Sequence, residues 1–219
     1  MAQIQIMTVQ EKADKREQIL QVAEQLFAEQ GFDGTSVRDI AQHAGVNLAM
    51  ISYYFGSKEK LLASLIEYRS QYTIGLLEEL SKDEKLSPWD KMDKLVDFYV
   101  DKILTNHRFH NIMTHTYNTT RSDDIRTLIT GLKLRNFEQI KKIIGDGQRK
   151  KIFRKVDIEL TMGSVMGSIS QLTLSRGLYC SLLRIDATDD ESYIKKVSQR
   201  LKTHLKQLLH AHLDIKNEE

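Results

Sequence analysis

At 219 residues, 41% of them hydrophobic and 28% charged, the chain has the make-up of an ordinary globular protein, long enough for one large domain or two small ones. One proline and 11 glycines leave few breaks and predict long helices, and no run approaches the ~18 apolar residues of a membrane span. A net charge of +2 does not by itself argue for nucleic acid, and a lone Cys180 excludes an internal disulfide, which fits a reducing cytoplasm.

Residues 1–10 carry no periodic pattern and predict a loose tail; they also lack the charged and then apolar segments of a secretory signal. From Ala13 to Gln30, the residues Ile19, Val22, Ala23, Leu26 and Phe27 form an apolar stripe at helical spacing. Gly31 ends that helix, and Phe32 is expected to pack back beneath it. Ser36-x-x-Asp39 has the form of a capping box ahead of Val37, Ile40, Ala41 and Ala44. Gly45 supplies a left-handed residue, Val46 plugs the corner, and Asn47 caps a second helix from Leu48 to Phe55. Two short helices with a glycine turn predict a helix-turn-helix, whose second helix can enter the DNA major groove.

Ser57 caps the next helix, and its stripe from Leu61 through Leu65, Tyr72 and Leu76 to Leu80 is too long for the small unit alone. It reads as a connecting helix. Ser87-Pro88 predicts an N-cap followed by proline at the first helical position, opening a helix with Leu95, Val96, Phe98, Tyr99, Ile103 and Leu104. A short helix follows around Phe109, Ile112, Met113 and Tyr117, then a loop at 118–122. The stripe from Ile125 to Ile144 predicts a long helix stopped by Gly145 and Gly147. Asp157 caps a helix whose face runs through Leu160, Gly163, Met166, Gly167 and Leu174 to Gly177. After an acidic turn at 186–190, a final helix carries Tyr193, Val197, Leu201, Leu205 and Leu209. The plan is all-α, about nine helices, with no convincing strand and no internal repeat.

The run Thr35-Ser36-Val37-Arg38-Asp39-Ile40-Ala41, then Ala44-Gly45-Val46, Tyr53-Tyr54-Phe55 and Ser57-Lys58-Glu59-x-Leu61, resembles the N-terminal motif of the TetR family of bacterial transcriptional regulators. Leu26-Phe27 and Gly31-Phe32 upstream fit the same pattern. The resemblance implies a three-helix DNA-binding domain at residues 10–60 and a larger helical effector-binding and dimerisation domain at 61–215. It implies a ligand-responsive regulator, most simply a repressor, that binds a near-palindromic double-stranded operator as a homodimer through its last two long helices and is released by a small-molecule effector. An effector-independent activator or architectural protein is the alternative reading. Carried over position by position, the DNA contacts are Thr35, Asn47, Leu48, Ala49, Met50, Ser52, Tyr53, Tyr54 and Lys58. The chain departs from the family at Leu48, where lysine is common, and at Ser52, where an aromatic is common.

Chemistry supports those assignments. Thr35, Ser52 and Tyr53 can donate to phosphate oxygens, Lys58 brings charge, and Ala49 and Met50 suit thymine methyls. Tyr54 and Phe55 also read as core, Phe55 more so, and Lys58 has the lesser reading of a surface lysine. Charge alone would point elsewhere: residues 1–60 hold six Lys/Arg against eight Asp/Glu, whereas 133–155 hold nine against two. That basic run reads as a solvated turn or an accessory contact.

An effector pocket among the middle helices would involve Phe98, Met113, Tyr117, Phe137, Met162 and Met166, each of which also reads as plain core. His107, His110 and His115 lack metal-ligand spacing, so they read as polar helix ends or pocket hydrogen-bonders, and no cofactor is expected. Gly163-x-x-x-Gly167 fits either close packing at a dimer interface or relief of local crowding. No nucleophile elbow, phosphate loop, dinucleotide fingerprint or metalloprotease pair is present, so no enzyme is expected.

Overall fold

The structure is a computed structural model that describes residues 9–215, with side chains from residue 14. The tail expected at 1–10 lies outside the described residues except for Val9 and Gln10, which belong to the first helix. Ten helices run in order: α1 (Val9–Gly34), α2 (Val37–His43), α3 (Leu48–Phe55), α4 (Lys58–Lys82), α5 (Pro88–Thr105), α6 (His107–Thr119), α7 (Asp123–Arg149), α8 (Ile158–Leu174), α9 (Arg176–Leu183) and α10 (Asp190–Leu213). Among the described residues the only extended pairing is an isolated bridge between Phe153 and Asp214. None of these helices is long and apolar enough to cross a membrane.

The chain divides into two compact units. One runs through Gln71 and includes Asn111–Leu132; the other holds Tyr72–His110 and the chain from Lys133 onward. Helix α4 crosses this division at Gln71. In the first unit, Ile19, Leu20, Ala23, Leu26 and Phe27 of α1 are buried with Ile40 and Ala41 of α2, Ile51 and Phe55 of α3, and Leu61, Leu62, Leu65 and Ile66 of α4. Removing each of the Leu, Ile and Phe side chains among these from water is worth roughly 1.5–3 kcal/mol. In the second unit, Val96, Val100 and Leu104 of α5 share a core with Ile143 and Ile144 of α7, Val165 and Ile169 of α8, and Val197, Leu201 and Leu205 of α10.

The caps follow the sequence. Ser87 and Asp90 form a capping box around Pro88, and Asp157 accepts from Leu160 N at 2.8 Å. Two terminations do not. Helix α7 runs through Gly145 and Gly147 to Arg149 instead of stopping at Ile144. Gly147 is there for space: a Cβ on it would lie 2.1 Å from the Phe153 ring. The chain turns instead at Lys151, whose φ is 54°, while Ile152 N and Phe153 N both donate to Gly147 O. The segment expected as one helix from Asp157 to Gly177 is broken at Ser175, which caps α8 and begins α9, raising the count to ten. Gln171 Nε2 donates to the Ser175 hydroxyl there at 2.9 Å, a side-chain device that apolar spacing does not reveal.

Candidate nucleic-acid interface

The backbone of α2, the turn and α3 is fixed by local hydrogen bonds. Ser36 Oγ accepts from Asp39 N at 3.2 Å and Asp39 Oδ2 accepts from Ser36 N at 3.0 Å, closing the capping box. Those bonds from the Ser36 hydroxyl and N–H hold the Asp39 carboxyl below its ordinary range, so it stays charged at the positive end of α2. Gly45, at φ 59°, turns the chain while Val46 N donates to Ala41 O at 3.0 Å. From α1, Gln18 Nε2 donates to Ala44 O at 3.0 Å, satisfying a carbonyl at the end of α2. Asn47 Oδ1 then accepts from Met50 N at 3.1 Å and starts α3.

This framework fixes which face of α3 is outward. Ile51 and Phe55 are buried, and the Arg16 guanidinium lies 5.3 Å from the centre of the Phe55 ring. Asn47, Leu48, Ala49, Ser52 and Tyr53 are exposed, Tyr53 at 72%; Met50 and Tyr54 are half-buried. The Tyr54 ring stands edge-on to Tyr53 at 5.2 Å and tilted to Phe55 at 6.2 Å, so it bridges the outer and inner faces. The outward face offers hydroxyls, an amide and apolar groups, and no charge. Cations come from its flanks. Arg38, which the sequence reading passed over, is exposed in the first turn of α2.

Two carried-over residues sit differently from expectation. Thr35 is 1% exposed, and its hydroxyl donates to Gly31 O at 2.8 Å and Leu26 O at 3.2 Å. Its hydroxyl therefore closes the end of α1 and does not face solvent, which corrects the expected phosphate contact. Gly31, whose φ of 75° kinks α1 there, is itself one of the two acceptors. Lys58 is half-buried: its ammonium donates to Phe32 O at 2.8 Å and Thr35 O at 3.0 Å, 4.3 Å from the Phe32 ring centre. An ammonium has three donors, so one remains beyond those two carbonyls. Lys58 thereby straps the corner between α1 and α2.

The expected effector residues are divided. Phe98, Phe137, Met162 and Met166 belong to the second unit, where Met162 is core and the other three pack partly buried against it. Met113 and Tyr117, both half-buried on α6, belong to the first. Of the histidines, His107 Nδ1 lies 3.3 Å from Leu104 O, a helix-end contact; His115 is exposed; His110 Nε2 is buried without a partner. In the basic run, Lys150 pairs with Asp146 at 2.8 Å, and Arg154 Nε donates to His212 O at 2.5 Å near the end of α10. Gly163 and Gly167 are exposed on α8, and a Cβ on either would meet nothing within 4 Å, so no crowding inside the chain requires a glycine there.

Residues 19–65 match the family described as "Bacterial regulatory proteins, tetR family". The chain is similar to the probable HTH-type transcriptional regulator YttP of Bacillus subtilis, 29% identical over 143 residues, which are 64% of this chain and 68% of that protein. It is 29% identical over 195 residues to the HTH-type transcriptional repressor NicS of Pseudomonas putida, covering 83% and 87% of the two chains. Among solved structures, the transcriptional regulator FadR from Bacillus subtilis in complex with stearoyl-CoA aligns with a TM-score of 0.68 at 22% identity, covering 86% of this chain and 96% of that one.

Proposed function

From the premise that the chain belongs to the tetR family of bacterial regulatory proteins, and is a DNA-binding transcriptional regulator and not an enzyme, we propose how its parts divide that work. Residues 10–60 form the DNA-binding domain, and residues 61–215 carry effector binding and dimerisation. Two copies set their α3 helices into successive major grooves of a near-palindromic operator in the cytoplasm and act as a repressor. Asn47, Leu48, Ala49, Met50, Ser52, Tyr53 and Tyr54 meet the DNA from α3 and its cap. Lys58 directs its remaining donor toward phosphate, and Arg38 adds charge from α2. The outward, uncharged face of α3, held by the burial of Ile51 and Phe55, is the observation that carries this reading.

Family regulators act as dimers, and we assign the interface here to α8 and α10. Leu160 is 71% exposed on α8, and Leu174 of α8 and Leu208 of α10 are also exposed large apolar residues. The open glycines at 163 and 167 let a partner helix approach. An effector bound in the domain at 61–215 shifts α4, which continues into the DNA-binding domain. There Arg69 of α4 meets Glu24 of α1 at 2.6 Å and Tyr68 donates to Glu17 at 2.7 Å. A coupling of ~1–3 kcal/mol is typical of such two-site systems.

The test is fluorescence anisotropy of the full chain on DNA from upstream of its own gene, in rising salt and excess random DNA. Specific, salt-sensitive binding is expected, and Tyr53→Ala should weaken it while sedimentation still reports a dimer. Loss of the dimer in that variant would contradict the role given to Tyr53.

A further inference from the structure

Helix α5 carries four carboxylates, and all are engaged away from Lys102. Asp90 belongs to the Ser87 capping box. Asp93 faces His210 at 4.0 Å, Asp97 pairs with Lys206 at 2.8 Å, and Asp101 pairs with Lys202 at 2.6 Å, a ladder along α10. Lys102 stands off that ladder. No carboxylate pairs with it among the described residues; its ammonium donates to the fully buried hydroxyl of Thr73 and lies 5.8 Å from the Phe98 ring centre. Nearby, at the start of α6, His110 Nε2 is buried with no partner.

A half-buried cation with no carboxylate partner and a buried ring nitrogen with no partner are both costly to a fold that gains nothing from them. Burial brings Lys102 down to about 8, which still leaves it mostly charged at neutral pH. Burial, then Lys133 and Lys102, brings His110 down to about 4, so the ring is neutral and offers one N–H. Neither group pairs with a carboxylate among the described residues, so a ligand's carboxylate would supply the missing counter-charge.

We infer that Lys102 and His110 receive the carboxylate of a small organic acid, with the apolar body of the acid lying along Phe98. This deepens the effector reading above and rests on it. The lysine ammonium takes one carboxylate oxygen and the His110 N–H the other, and Thr73 fixes the lysine. A monoanion matches the one half-buried ammonium of Lys102; a phosphate dianion would ask for a second cation there, whereas Lys133 is exposed.

The experiment uses the full chain carrying lysine labelled with carbon-13 at Cε, with the Lys102 resonance identified by its absence in Lys102→Arg. Decanoate and benzoate are titrated in, each against its uncharged amide. One of the acids should move the Lys102 resonance saturably and bind roughly tenfold or more tightly than its amide, as expected when a charge-assisted hydrogen bond is lost. Lys102→Met should abolish that preference and Lys102→Arg should keep part of it. The proposal is overturned if neither acid moves the resonance, if acid and amide act equally, or if Lys102→Met keeps the preference. A neutral compound that releases operator DNA without moving the Lys102 resonance would overturn the carboxylate assignment and leave the effector reading standing.

Discussion

Lys102 shows how a single side chain can be kept against the interest of stability. Its pKa falls from 10.5 to about 8 on folding, because burial penalises the charged form. The unfolded chain therefore binds more protons between those values, so the penalty is fully present below about pH 8 and fades as pH rises toward 10.5. Lys102→Met should raise stability at pH 7 by at most about 3 kcal/mol, the worth of the shift. The gain should shrink toward pH 10.5, and urea denaturation at pH 7 and pH 10 measures both. His110 acts in the acid range: lowered from 6.5 to about 4, chiefly by burial, it costs stability as pH falls from 6.5 toward 4. His110→Gln should flatten the stability curve over that window relative to the parent chain. Neither effect was legible in sequence, where Lys102 is one of 32 basic residues and His110 one of seven histidines. Burial and the absence of a carboxylate appear only once α5 has turned Asp93, Asp97 and Asp101 toward α10. Thr35 and Lys58 carry the same lesson in reverse: the motif located them, but it did not encode that their donors go to the carbonyls of the corner between α1 and α2.

At the scale of the element, apolar spacing and caps gave the helices, and glycines misled. Gly145 and Gly147 read as a stop because glycine costs helix stability, yet α7 continues through both. What decides is the surroundings, which spacing does not encode. At Gly147 the Phe153 ring occupies the place of a Cβ, and that ring stands edge-on to Trp89 at 4.6 Å. Gly147→Ala should therefore destabilise the chain by roughly 1–3 kcal/mol through overpacking, and the fluorescence of Trp89 should report the displaced ring. Gly131, also inside α7, has open space where its Cβ would be, so Gly131→Ala should be neutral or stabilise by up to ~1 kcal/mol. Thermal denaturation of the two variants together is the check: equal effects would mean that helix propensity and not the Phe153 contact governs both sites. The break at Ser175 was hidden as well, since no proline or glycine stands at it.

For the whole molecule, the motif over roughly the first quarter of the chain identified a DNA reader that the charge distribution would have put at residues 133–155. Charges of that run are engaged within the chain: Asp146 pairs with Arg149 and Lys150, and Arg154 is bound to the end of α10, while α3 presents an outward face without charge. The second copy is the part of the assembly least legible in one chain, and the interface proposed for it rests on the apolar residues exposed on α8 and α10. Leu160→Arg puts a charge on that exposed face without touching the core, so the fold should survive with its helix content unchanged. If α8 meets its counterpart, each partner must then bury or repel an arginine, and the dimer should weaken at least tenfold, as for a central interface residue. Sedimentation velocity over a dilution series measures it. Operator affinity should fall with the dimer because two half-sites are no longer held by one particle, while affinity for an isolated half-site stays as it was. A variant that remains dimeric at the lowest concentration would move the interface off α8, and the open positions at Gly163 and Gly167 would then need another explanation.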